Sequence, residues 1–167
     1  MSTAYEEFIN QVKKTIQEQP IPPMYNPDEW KDKNFNCYLY ALRACMNFDY
    51  FGYKIAPGFI FKEIESKPKF DKEYVLRYLK KDCEILGLNI LPSKIDEPIG
   101  ENEYKIAVYV FERRDYHFAR QDSNGNWSEK DGWNKEIEIL KQEEVAKNQD
   151  GYEFIGIFRL SKAEKTE

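Results

Sequence analysis

The spacing of apolar residues changes from a helical period in the first half of the chain to a strand period in the second half. Apolar side chains recur every three or four residues in three segments, at 4–18, 36–48 and 70–87. Later segments are continuously apolar or alternate between apolar and polar residues, at 104–111, 115–121, 126–130, 136–140 and 152–160. The segment at 136–140 could instead open a helix. Helices followed by strands with short connections predict the α+β class, with helices packed on a mostly antiparallel sheet.

The helical segments also carry residues that begin helices. Thr3 followed by Glu6 has the spacing of a capping box. Asn36 and Asp71 are residue types that favour the N-cap position, because their side chains accept hydrogen bonds from the first helical amides. The sequence therefore predicts that the second helix begins at Asn36, immediately before Cys37.

Four prolines between residues 20 and 27 interrupt the chain after the first helix. Each proline ring fixes φ and removes a backbone donor, so this segment is expected to be extended and irregular. We therefore predict three parts. These are an N-terminal helix and proline-rich linker at 1–30 that form a docked arm, an α+β domain at 31–162, and a frayed tail at 163–167.

Composition and charge argue against several classes of function. The 167 residues carry a net charge of −5, without the basic footprint typical of nucleic-acid-binding proteins. No apolar segment is long enough to span a bilayer, and the N-terminus does not resemble a signal peptide. The three cysteines are an odd number without metal-ligand spacing, which argues against a zinc site or a disulfide framework. We expect a cytoplasmic protein that binds neither nucleic acid nor a membrane, and the sequence gives no indication of its oligomeric state.

Cys37 is the cysteine whose position would activate it. A helix that begins at Asn36 puts this thiol in its first turn, where unpaired amides and the helix dipole favour the thiolate. Cys45 and Cys83 instead fall on apolar stripes, where a cysteine behaves as a small hydrophobic residue. By position alone, a role as the first core residue of its helix is the more common explanation for Cys37.

His117 is the only histidine in the chain and lies in the segment DYHFARQ. In a strand its side chain would share a face with Asp115, Ala119 and Gln121, and the small Ala119 would leave room for a partner. A sheet histidine beside a helix-start thiolate is the pairing that a nucleophilic cysteine needs. The simpler explanation is a partly buried strand histidine that bonds to a neighbour.

The order of these motifs is similar to that of a known family. The chain contains in turn NCYLYAL, a Pro57-Gly58 turn, the hairpin DYHFARQDSNGNWSEKDG and a final YEFIGIF. Over roughly residues 34–160 this layout resembles small bacterial and phage proteins of the papain-like cysteine hydrolase type, including CHAP and cell-wall amidase members. The resemblance implies a papain-like α+β fold that needs no cofactor, with Cys37 as the nucleophile and His117 as the general base.

The hairpin departs from the family pattern in one segment. Where the pattern reads WSHKPG this chain reads WSEKDG, so Glu129 replaces a histidine and Asp131 replaces a proline. Glu129 could orient the His117 ring as the third member of the site. Asp131 and Asp122 are alternatives: residues near 129–131 lie across the hairpin from His117, whereas Asp122 lies at the turn. A one-residue bulge would exchange which of Glu129 and Lys130 shares the face of His117, so the sequence leaves the register open.

Two hypotheses follow from these motifs. The first is a cysteine-dependent amide hydrolase (a peptidase, amidase or deamidase) that acts on a peptide or protein. Its oxyanion hole would use the Cys37 amide with help from Asn36, although Asn36 could equally be a plain N-cap. The second is a catalytically inactive papain-like binding protein that acts as an inhibitor or adaptor through protein–protein contacts. The changed WSEKDG segment favours this second hypothesis.

Overall fold

The fold is that of a computed structural model, which describes residues 3–31, 33, 35–46, 55–61, 69–130 and 136–163. In these ranges the helices are α1 (Ala4–Glu18), α2 (Pro27–Trp30), α3 (Cys37–Ala41), α4 (Lys72–Ile85) and α5 (Gln142–Val145). The strands are β1 (Leu88–Ser93), β2 (Glu103–Phe111), β3 (Asp115–Gln121), β4 (Trp127–Lys130), β5 (Ile137–Leu140) and β6 (Glu153–Lys162). The elements confirm the α+β class.

The N-terminal helix has the predicted bounds. Thr3 Oγ1 accepts a hydrogen bond from the Glu6 amide at 3.1 Å, which caps the first turn of α1. Val12 and Ile16, on its apolar stripe, are buried in the main core. α1 therefore shares a core with the elements that follow it. The domain boundary after residue 30 stays a prediction.

The second helix is shorter than its apolar pattern predicted. α3 begins after Asn36 as expected, but it ends at Ala41 instead of continuing for about two further turns. Arg43 adopts a left-handed conformation with φ of +68°. Its buried guanidinium donates to the carbonyls of Ile16 and Pro20, near the end of α1. The chain therefore turns towards α1 where the periodicity alone would have extended the helix.

α4 agrees with the sequence at both ends, whereas the strand after it was not predicted. Asp71 Oδ1 accepts from the Tyr74 amide at 2.8 Å, and Gly87 follows the helix with φ of +72°. β1 comes directly after this turn, in a segment whose side chains do not alternate clearly. It is an edge strand, where Pro92 is tolerated because one side of an edge strand needs no amide donors.

The six strands of the described ranges form one sheet in the order β1-β6-β2-β3-β4-β5, and the paired strands run antiparallel. The predicted β3–β4 hairpin turns over residues 122–126. The segment at 136–140, which could have been a strand or the start of a helix, contains strand β5, and helix α5 follows it. The hairpin fixes which residues of β3 and β4 share a face of the sheet.

The main core lies between helices α1, α3 and α4 and one face of the sheet. Side chains alternate along β3, so Tyr116 and Phe118 enter this core. His117 lies on the other face, which carries a smaller apolar cluster that includes Tyr109 and Ala119. No helix in the described part of the chain combines the length and the apolar character needed to cross a bilayer.

Candidate active site

Cys37 is the first residue of α3. The Asn36 side chain accepts from the Leu39 amide at 2.9 Å, which fixes where the helix begins. Only 6% of Cys37 is exposed. Because α3 has five residues, its dipole is small.

His117 lies in the middle of β3, directly opposite Tyr109 of β2. The centroids of these two rings are 5.7 Å apart. On another side, the Tyr152 ring approaches the imidazole edge-on, with centroids 6.2 Å apart. The Tyr109 hydroxyl donates to the Val145 carbonyl, so this ring is itself fixed. Two aromatic rings therefore restrict the orientation of the imidazole.

Glu129 is the carboxylate that the fold places against His117. It pairs with Ala119 across the β3–β4 ladder, and paired residues share a face with the residues two positions away on the neighbouring strand. Glu129 Oε2 lies 2.7 Å from His117 Nε2. The exposed fractions of the two side chains are 14% and 15%, so the contact is largely shielded from water.

Cys37 is the second group that affects the charge of the imidazole. Burial lowers the pKa of His117, but hydrogen bonds and negative charge from Cys37 and Glu129 outweigh burial and raise this pKa from 6.5 to about 10. Glu129 occupies Nε2, which leaves Nδ1 as the ring nitrogen without a carboxylate partner. Cys37 and Glu129 thus both favour the charged form of the lone histidine, and Glu129 does so through a direct contact.

Asn36 takes part in the site through its neighbours. Its Nδ2 donates to the Ile55 carbonyl at 2.8 Å and, at 3.4 Å, to the hydroxyl of Tyr116. Its Oδ1 accepts from the Leu39 amide. The side chain has partners at both ends, so it acts as an N-cap and a link to Ile55. To act as an oxyanion donor, the Asn36 side-chain amide would have to break these hydrogen bonds.

The chain is not matched by any protein-family model, and comparisons with curated proteins and with solved structures also give no match. The chemistry of the site therefore rests on its own geometry.

The two alternative third members are placed differently. Asp122 Oδ1 accepts from Arg120 Nε at 3.0 Å, and its Oδ2 accepts from the Ser128 hydroxyl at 2.6 Å. Ser128 also contacts the hydroxyl of Tyr40 at 2.6 Å, within a buried network between α3 and the sheet. Asp131 lies outside the described residues.

The remaining cysteines have surroundings unlike those of Cys37. Burial, together with Glu29, raises the pKa of Cys45 to about 12. Burial also raises the pKa of Cys83 well above its usual range, and Asp82 adds to the effect. Neither of these thiols has His117 as a partner. Among the residues described, no three His, Cys, Asp or Glu side chains converge on a position that could hold a metal ion.

Sequence reasoning missed the residues that surround the pair. Tyr152 and the Ile55 carbonyl come from segments far from His117 in sequence, and Tyr109, although nearer, is a residue type common in any core. One signal was available, because the pairing of β2 with β3 places a β2 residue directly opposite His117. That residue is Tyr109.

Proposed function

We propose that the protein is a cysteine-dependent amide hydrolase of the papain-like type, acting on an amide bond of a peptide or protein. The observation that carries this proposal is the imidazole of His117, which is bonded to Glu129 and whose pKa is raised by both Cys37 and Glu129. A raised pKa of His117 favours the imidazolium, and an imidazolium beside a sulfur favours the thiolate, which is the nucleophilic form of cysteine. The chemistry needs no cofactor.

Each group has one role in the proposed reaction. The Cys37 thiolate attacks the amide carbon, and the His117 imidazolium donates its proton to the departing amine, leaving a thioester. Water then attacks the thioester as neutral His117 takes the water's proton, which releases the acid and restores the thiolate–imidazolium pair. Glu129 orients the ring and stabilises its charged form in both steps, as the third group of such a site does.

Stabilisation of the tetrahedral oxyanion is assigned to the backbone. The amide of Cys37 is among the first amides of α3, which have no acceptor within the helix. A backbone N–H of this kind, aimed at the oxygen where charge develops, contributes a large part of acyl-transfer catalysis. Asn36 then contributes by fixing the start of α3, because both of its amide ends are already bonded.

The burial of Cys37 supports a second candidate function. With 6% of the residue exposed, a substrate carbonyl would have to reach a sulfur that neighbouring side chains largely cover. A papain-like domain that has lost its chemistry, and acts as an inhibitor or adaptor through protein–protein contacts, would tolerate such a covered thiol.

An activated ester separates these functions without knowledge of the natural substrate. We expect p-nitrophenyl acetate to release one equivalent of nitrophenolate in a burst and then to turn over slowly. The acetyl group should map by peptide mass spectrometry to Cys37. Cys37→Ser should lose the burst, while Cys45→Ser, a matched change at a thiol away from His117, should keep it. An absent burst, or acetylation spread equally over the cysteines, would contradict the enzyme and support the binding protein.

A further inference from the structure

The carbonyl of Ile55 joins the two halves of the proposed site. It accepts a hydrogen bond from Asn36 Nδ2 at 2.8 Å and another from the Tyr116 hydroxyl at 3.1 Å. Asn36 immediately precedes Cys37, and Tyr116 immediately precedes His117. A carbonyl oxygen has two lone pairs, so one backbone group can hold both donors at once. One acceptor thus sets the distance between two segments that are 80 residues apart in sequence.

The turn that follows Ile55 is fixed by a buried carboxylate. Asp82 of α4 is fully buried and accepts from the Gly58 amide at 2.7 Å and the Phe61 amide at 2.8 Å. It also accepts from the hydroxyl of Tyr38, one residue after Cys37, at 2.6 Å. The same carboxylate therefore holds both the turn and the second residue of α3.

A third contact holds the turn from the opposite side. The hydroxyl of Tyr5 in α1 lies 2.7 Å from the Phe59 carbonyl and 2.9 Å from the Ile60 carbonyl. Backbone groups of this irregular segment are thus paired with side chains from α1 and α4. Gly58 has φ of +101°, and a Cβ added there would lie 3.1 Å from the Tyr78 ring, so the turn fits closely against α4. The turn is held as part of the core.

We propose that the 55–61 turn is the positioning element of the site, with the Ile55 carbonyl holding the Cys37 and His117 segments in register. Asp82 acts as its anchor, and Asp82 and Tyr116 are positioning residues that act through their hydrogen bonds to the turn. This inference rests on the proposed function for its catalytic meaning. Its geometric content, that one carbonyl holds the Cys37 and His117 segments together, is separate from that function.

The Tyr116 hydroxyl is suited to this role at every physiological pH. Burial raises the pKa of Tyr116 well above its ordinary value, and the nearby charges of Cys37 and Asp115 raise it further. The hydroxyl therefore keeps its proton and remains a donor to Ile55. Its ring is held separately, 4.9 Å from Phe70 and 5.9 Å from Phe118, so removing the oxygen alone leaves the packing in place.

The test compares two variants with a matched control. Tyr116→Phe deletes one donor to Ile55, and Asp82→Asn removes the charge that anchors the turn. Tyr104→Phe is the control, because its buried hydroxyl also donates to a backbone carbonyl, that of Ala41, at 2.7 Å. The readouts are the NMR titration of the lone histidine and the rate of Cys37 acylation by p-nitrophenyl acetate.

We expect Tyr116→Phe and Asp82→Asn to lower the midpoint of the His117 titration from about 10 towards 6.5, because the sulfur moves away from the ring. Acylation of Cys37 should slow by about tenfold to a hundredfold, the effect of displacing a reactive group by about 1 Å. Tyr104→Phe should change neither readout. Unchanged titration and acylation in a folded Tyr116→Phe protein would overturn the inference. If the wild-type protein shows no acylation but Tyr116→Phe still shifts the titration, the proposed function fails and the positioning role stands.

Discussion

Nε2 of His117 and Oε2 of Glu129 lie 2.7 Å apart, at positions 12 residues apart on the two strands of one hairpin. The pairing of Ala119 with Glu129 produces this contact, because it leaves Glu129 on the face of the sheet that carries the imidazole. Glu129 therefore has a defined partner within the hairpin. The contact makes Glu129 the residue to change first.

Replacement of Glu129 by glutamine should lower the pKa of His117. The carboxylate contributes a hydrogen bond and a negative charge that favour the imidazolium, and the amide retains only a neutral bond. Because the chain has one histidine, its NMR signal reports this titration directly. Glu138→Gln is the matched control, since Glu138 is paired with Glu129 on β5 and is exposed. Equal midpoints in Glu129→Gln and the wild type would contradict the assigned role.

The dependence of stability on pH should carry the signature of His117. Its pKa is raised in the folded state, to about 10 from 6.5. A base whose pKa is higher in the folded state stabilises that state. The stabilisation is complete at a pH below the pKa of the unfolded state, and it disappears as the pH rises through the pKa of the folded state. We expect His117→Ala to lower the free energy of unfolding by about 3 kcal/mol at pH 6. In urea titrations the difference should shrink progressively between pH 7 and 10. A difference that grows with pH over this window would contradict the ion pair.

Asp122→Asn should affect stability but leave the imidazole unchanged. Asp122 accepts from Arg120 and Ser128 in the buried network that also contains Tyr40. Loss of its charge leaves the guanidinium without its carboxylate, at a cost of roughly 1–3 kcal/mol in thermal or urea unfolding. The His117 titration should match that of the wild type. A shifted titration would restore Asp122 as a candidate third member.

Gly58→Ala should destabilise the 55–61 turn. The φ of +101° at this position is unfavourable for any residue with a Cβ, and the added atom would press on Tyr78. We expect a loss of about 1–3 kcal/mol in the free energy of unfolding. Gly87→Ala is an informative comparison, because φ is also positive there but nothing lies within 4 Å of the added Cβ. Gly58→Ala should slow acylation of Cys37, and Gly87→Ala should leave it unchanged.

Local features of the sequence predicted where Cys37 and His117 lie in the fold. An N-cap residue type located Cys37 at the start of α3, and strand alternation placed Ala119 on the face of His117. The choice among the acidic residues of the hairpin could not be made from the sequence, because it depends on register and a bulge would have changed it. The pairing of β3 with β4 places Glu129 on the face of the sheet that carries His117.

Features that depend on distant segments were not predictable. α3 ends early because Arg43 turns towards carbonyls of α1, a contact invisible to a periodic pattern. The link at Ile55 depends on a carbonyl whose partners are 19 and 61 residues away. Backbone carbonyls carry no sequence signal, so elements of this kind are found only when the chain is folded.

The most direct test of the Cys37–His117 pair is the rate at which iodoacetamide alkylates each cysteine at pH 6, mapped by mass spectrometry. A free thiol is almost fully protonated at this pH and is alkylated slowly, whereas a thiolate stabilised by an imidazolium is alkylated much faster. The account predicts that Cys37 is alkylated at least about tenfold faster than the same cysteine in the unfolded protein, and that His117→Ala abolishes this advantage. A Cys37 that reacts no faster when folded, or whose rate is unaffected by His117→Ala, would contradict it.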